Sequence, residues 1–330
     1  MRDGARLGLG GAALGNLFSA VRDDDARAVV VRALADGCAT FDTAPHYGNG
    51  LSEHRMGAVL RDLPRDSFSL SSKVGRLLLP DRGPRDENGY VACLPFAQAW
   101  DYSAAGARRS VEDSLQRLGL ARLDAVYVHD CDAMTHGVDR YPAVLRQVLD
   151  ETLPALRQMQ RQGLVRHVGL GVNDVRVCLD VLHETSLDVL LLAGRYSLVD
   201  HTALAALLPL CTRRQVRIAL GGVFNSGILA TGVRASGPAR FDYTEAPPSM
   251  RARVAALEDA CETMGVPLRA AALQFPLAHP CIDVVLLGAR SPSEWLDART
   301  MLARPIPASF WQTLRERGLL PTDAPLPVSA

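Results

Sequence analysis

Short apolar runs, each followed by a stretch of helical period, recur eight times along this chain, and no other feature narrows the possible folds as far. The runs are Leu7–Gly11, Ala39–Thr43, Phe68–Val74, Asp124–His129, His167–Val172, Leu187–Ala193, Val216–Gly221 and Asp283–Gly288. Most are unbroken rather than alternating, as parallel strands covered on both faces require. Helical patterns lie between them, for example Asp24–Asp36, Leu51–Asp62, Ala105–Leu118, Val144–Arg161, Asp174–Glu184, Thr202–Arg213, Pro248–Met264, Leu268–Ala278 and Pro292–Met301. Pro248 and Pro292 stand where a first helical turn tolerates proline, and Gly37, Gly119, Gly163 and Gly265 stand where helices end. Eight βα units in 330 residues predict an α/β fold, a (β/α)8 TIM barrel, as one domain over residues 1–318. The tail 319–330, rich in proline and small residues, is expected to be poorly ordered.

Composition excludes several function classes. Lysine plus arginine equals aspartate plus glutamate, 36 against 36, so nothing suggests nucleic acid or an anionic membrane as a partner. The seven cysteines lack CxxC spacing and read as free thiols of a reducing compartment. No signal-like apolar segment opens the chain and no apolar run is long enough to span a bilayer, so a cytoplasmic protein is expected, a monomer or weak homo-oligomer.

Two segments without clear periodicity, Arg76–Trp100 and Ala230–Pro247, follow strand ends, where barrel enzymes build their sites. Four residues stand at or just beyond such ends: Asp42 at the end of strand two, Tyr47 in the loop above it, Lys73 at the end of strand three and His129 at the end of strand four. A barrel brings these together at one mouth. A free tyrosine titrates near pH 10, roughly, too high for efficient proton exchange at neutrality. A nearby ammonium is expected to lower that value, Asp42 to balance the ammonium, and a neutral histidine to orient an oxygen or relay a proton. Such a group suits proton transfer at an oxygen while hydride moves at the attached carbon.

Phe41-Asp42-Thr43-Ala44-Pro45-His46-Tyr47-Gly48 with Ser52-Glu53, then Ser72-Lys73-Val74, then Val128-His129, resembles the aldo-keto reductase pattern, and the likeness runs from about Leu7 to Arg299. The resemblance implies Tyr47 as general acid/base, Lys73 as the group that tunes it, Asp42 as the partner of Lys73 and His129 as the orienting residue. It also implies a barrel that binds an extended nicotinamide dinucleotide, NADP or NAD, without a Rossmann domain. Leu192-Ala193-Gly194-Arg195-Tyr196-Ser197-Leu198, Gly222-Val223-Phe224-Asn225-Ser226-Gly227 and Ser114-Leu115-Gln116-Arg117-Leu118-Gly119 are similar to the aldose dehydrogenase branch, which includes L-fucose and D-threo-aldose 1-dehydrogenases, and to the pyridoxal 4-dehydrogenases.

Phosphate binding needs backbone N–H groups at a helix N-terminus or a glycine turn, which makes Gly288, Ala289, Arg290 and Ser291, with Glu294 in the following helix, candidate cofactor contacts. Arg290 tilts the expectation towards NADP. Asn225 and Ser226 are candidates for the pyrophosphate and Asn173 for the nicotinamide amide, while Gly221 stands where the family's usual tyrosine stacks on the nicotinamide. Phe18, His46, Trp100 and Tyr102 are candidate substrate contacts. The run Gly8-Leu9-Gly10-Gly11 is assigned to the first barrel strand rather than to a dinucleotide fingerprint, and His129-Asp130-Cys131-Asp132 is not read as a metal site. The expected activity is oxidation of the anomeric hydroxyl of an aldose such as L-fucose or D-arabinose to the lactone. Alternatives are a pyridoxal 4-dehydrogenase, a general aldehyde or ketone reductase, or a cofactor-binding regulatory subunit on the same fold.

Overall fold

The computed structural model describes residues 6–328 apart from positions 84, 87 and 238. Eight strands close a parallel barrel in chain order: β1 (Leu7–Gly10), β2 (Thr40–Asp42), β3 (Ser69–Val74), β4 (Leu123–His129), β5 (Val165–Val172), β6 (Val189–Ala193), β7 (Arg217–Gly221) and β8 (Ile282–Gly288). All eight expected strands are present, with β8 pairing back to β1 through Leu7 and Val285. Gly8 and Gly10 lie in β1, and Gly11, assigned to the same strand, stands one residue past its end.

The barrel lumen is filled by Tyr127, Val189, Leu191, Val284 and Leu286, with Ala125 and Ala219 beside them. The outer faces of the strands pack on helices through a second, larger set that includes Phe41, Leu70, Val126, Leu170, Leu190 and Trp295. This two-sided burial explains the unbroken apolar runs. The Ser52-Glu53 motif is scaffolding. Ser52 Oγ donates to the Gly11 carbonyl at 2.8 Å, and buried Glu53 accepts from Ser72 Oγ at 2.8 Å and from Arg117 Nε at 2.5 Å. These bonds tie the helix Leu51–Leu60 to the ends of β1 and β3.

Sequence periodicity passes over two hairpins. The segment after β3 forms an antiparallel pair, Arg76–Pro80 with Phe96–Trp100, in which Arg76 faces Trp100. The segment after β7 contains a smaller pair, Arg240–Phe241 with Thr244–Glu245. A final helix, Ala308–Glu316, was also not anticipated. The chain after Gly318, expected from composition to be loosely held, packs Leu319, Leu320 and Ala324 into the core, and Arg253 and Arg315 donate to the carbonyls of Leu319 and Ala324. Three small or apolar anchors among prolines suffice for this. All seven cysteines are buried and outside any disulfide, and among the described residues no helix is long and apolar enough to cross a membrane.

Candidate active site

The C-terminal ends of the strands surround a cavity of about 280 Å³. His46, Tyr47, Lys73 and His129 line it, together with Tyr90, Asp130, Met134, Asn173 and Tyr243. Asp42 lies beneath. Lys73 is 2% exposed and donates to Asp42 Oδ2 at 2.7 Å and to the Thr43 carbonyl at 2.9 Å. Ser71 Oγ donates to the other carboxylate oxygen at 2.7 Å. Lys73 reaches this depth because β5 carries Gly171 alongside: a Cβ there would stand 3.0 Å from the Tyr127 Cβ and 3.4 Å from the Lys73 Cε.

The four residues expected at the mouth therefore meet, but the electrostatics differ from expectation in one respect. The Lys73 ammonium lies 4.6 Å over the face of the Tyr47 ring, and its charge is engaged by Asp42. Enclosure by the cavity walls and then the Asp42 carboxylate push the Tyr47 phenol well above its usual pKa, instead of Lys73 drawing it down. The ring is also stacked on buried Tyr90, centroids 5.9 Å apart at 22°, a neighbour that sequence reasoning missed. His129 is held well below the ordinary histidine value by burial and by the nearby Arg76 and Lys73 charges, so its ring is neutral. Asp42 is pushed upward by burial against the opposing pull of Lys73.

The expected substrate residues divide. His46 lines the cavity, its Nδ1 2.8 Å from Gln98 Oε1, and burial lowers its pKa to about 4. Phe18 stands at the rim of an adjoining hollow with Gly89, Arg240 and Tyr243. Trp100 and Tyr102 are set back from the cavity, contrary to expectation. Tyr102 is buried and donates to the His129 carbonyl at 2.7 Å, while Trp100 stacks on Tyr102 at 5.8 Å and carries the Arg76 guanidinium 3.9 Å over its ring. They are expected from the loop as sugar contacts; Tyr102 instead reaches the backbone at the end of β4, and Trp100 covers Tyr102 and Arg76.

The expected cofactor residues lie at the ends of β5 to β8 and in the loops beyond. Asn173 Nδ2 donates to the Tyr243 hydroxyl at 3.3 Å. Gly221 ends β7, with the Ala193 Cβ 3.6 Å from where its own Cβ would be. Asn225 is buried and donates to the Gly194 carbonyl at 3.1 Å, yet its Oδ1 has no hydrogen-bond partner. Ser226 Oγ accepts from the Tyr243 N–H at 2.9 Å. Gly288 closes β8, Ala289 is buried, and Ser291 caps the helix Pro292–Ala303 by accepting from the Glu294 N–H. Glu294 engages Arg290 twice, accepting from its backbone N–H at 2.9 Å and pairing with its guanidinium at 3.0 Å. Tyr243, another residue missed from sequence, is carried into the mouth by the small hairpin, which Arg195 anchors through Asp242 at 2.9 Å. Its signal was a lone tyrosine in an aperiodic loop after β7.

The aldo/keto reductase family model matches residues 6–317. The chain is 40% identical over 328 residues to the pyridoxal 4-dehydrogenase of Microbacterium luteolum, covering 95% of this chain and 94% of the relative. It is 36% identical to the D-threo-aldose 1-dehydrogenase of a Pseudomonas species, covering 96% and 94%. Its fold resembles the glycerol dehydrogenase of Gluconobacter oxydans, with a TM-score of 0.71 at 20% identity over 100% of this chain and 98% of that one.

Proposed function

This chain is an oxidoreductase that belongs to the aldo/keto reductase family, and from that premise we propose that it oxidises a cyclic hemiacetal to a lactone with a nicotinamide dinucleotide. An aldose such as L-fucose or D-arabinose presents this group at its anomeric carbon. Pyridoxal presents it when its aldehyde closes on the neighbouring hydroxymethyl. The observation that carries the proposal is the convergence of Tyr47, His129 and the Lys73–Asp42 pair on one small cavity. Tyr47 takes the hydroxyl proton, and His129 holds the same oxygen through a ring N–H. Lys73 and Asp42 fix the floor beneath the phenol. The dinucleotide supplies the hydride acceptor.

The residues fit such a cofactor. The unpartnered, buried Asn225 Oδ1 is an acceptor waiting for a donor, which the hydroxyls of a ribose provide. The helix Pro292–Ala303 offers its N-terminus to a phosphate. Tyr243, bonded by Asn173, supplies an aromatic face in the mouth where Gly221 offers none. Glu294 argues for NAD over the NADP suggested by Arg290, because a 2′-phosphate approaching Arg290 meets a carboxylate already paired with it. A panel of L-fucose, D-arabinose, pyridoxal and simple aldehydes, run in both directions with each dinucleotide, tests the proposal. Lactone formation with a preference for NAD is expected; reduction of open-chain aldehydes with no hemiacetal oxidation overturns it. Glu294→Gln is expected to raise kcat/KM with NADP relative to NAD about tenfold, equivalent to about 1.4 kcal/mol.

A further inference from the structure

We propose that Arg76 is a positioning residue that locks the His129 imidazole in the tautomer bearing its proton on Nε2. This rests on the role just given to His129 and extends it to a residue outside the four. A guanidinium has five N–H donors and no acceptor. Arg76 Nη1 lies 2.8 Å from His129 Nδ1, so that nitrogen must offer its lone pair, and the ring's single proton is on Nε2. The nearest carboxylate oxygen, Asp130 Oδ2, is 3.6 Å from Nε2, beyond a hydrogen bond, so this N–H is available to an oxygen in the cavity.

The guanidinium is held on three sides. Arg76 Nη2 donates to Asp130 Oδ2 at 2.7 Å, and the plane lies 3.9 Å over the Trp100 ring. Gly75, at φ +111°, turns the chain between β3 and the hairpin, and a Cβ there would meet the Tyr102 ring at 2.5 Å. Arg76 and His129 are each 7% exposed. Tyr102 fixes the other end of the same residue by donating to the His129 carbonyl. Hairpin and β4 are thus joined by Arg76 at the ring and Tyr102 at the backbone.

The charged and titratable groups facing His129 are Arg76 from the hairpin, Lys73 from β3, His46 and Tyr47 from the loop after β2, with ring centroids at 5.7 and 6.2 Å, and Asp130 from its own strand end. Removing Arg76 deletes a positive charge and leaves Asp130 facing the ring, so the imidazolium becomes easier to form and the neutral donor is lost at higher pH.

The decisive measurement is the nitrogen chemical shifts of the His129 ring in the unmodified, substrate-free protein, assigned by the loss of its signals in His129→Asn. Nδ1 unprotonated and Nε2 protonated is the expected result; a proton on Nδ1 overturns the proposal whatever the substrate proves to be. In Arg76→Met the two tautomers are expected to mix, and the acid limb of kcat/KM to move to higher pH by about one unit, while Arg76→Lys, which keeps a donor and the charge, moves it less. A folded Arg76→Met protein whose tautomer and acid limb are both unchanged marks Arg76 as scaffold alone and also overturns the proposal. Because the ring shifts need no turnover, failure of the hemiacetal panel and failure of this proposal are distinguishable.

Discussion

Tyr47 is poised as a protonated phenol. Its ring rests on an ammonium already neutralised by Asp42, and its pKa is pushed up by enclosure and by that carboxylate. Oxidation needs the phenolate and reduction needs the phenol. The oxidation rate should therefore climb with pH through neutrality into the alkaline range, and reduction should stay level there before falling at high pH. Profiles of kcat in both directions check this; an oxidation rate that levels off below neutral pH contradicts it. Tyr47→Phe should retain the fold and lose about 10²- to 10⁴-fold in turnover, the usual worth of a positioned proton donor, as steady-state kinetics and circular dichroism would show. The identity of these residues was legible in the sequence because each sits at a strand end or in the loop just above one. The direction of the tyrosine shift was not, since it depends first on how fully the cavity walls enclose the phenol and then on how close the Asp42 carboxylate stands, both matters of three-dimensional distance.

At the scale of elements, β5 contributes chiefly by what it lacks. Gly171 leaves room for Lys73 and Tyr127 inside the lumen. Gly171→Ala should overpack that layer, lowering stability by about 1–3 kcal/mol in urea titration and reducing kcat more than it raises KM, because the displaced group is the lysine under Tyr47. The barrel strands could be read from sequence because both their faces are buried, which leaves long apolar runs. The two hairpins could not: they are short, stand at the mouth with mixed exposure, and carry their function in single residues such as Arg76 and Tyr243. Leu77-Leu78-Leu79 directly after Arg76 was the available strand signal, too brief to separate from a loop. The set-back position of Trp100 and Tyr102 has the same origin, since an unrecognised hairpin hides which way its side chains, and the residues just after it, turn.

The whole molecule places its candidate acid/base groups at and just above the ends of β2 to β4 and its cofactor candidates on β5 to β8 and the loops beyond them, a division that the order of motifs already suggested. It also buries several neutral histidines. Burial lowers His46 and His201 to about 4 and holds His129 well below the ordinary value. Since their folded pKa values lie below about 6.5, the unfolded chain binds more protons in that interval, and stability must fall as pH drops from about 6.5 towards 4. Calorimetry across this interval should show a falling Tm; a constant Tm would contradict neutral burial. The hairpin after β3 has a consequence for anyone redesigning the enzyme. It holds the cavity-lining His46 through Gln98, and its first residue grips the imidazole of β4. Loop grafting that replaces this hairpin whole would free the imidazole in the same stroke, so successful graft libraries should retain the arginine at the hairpin's base and vary only the tip.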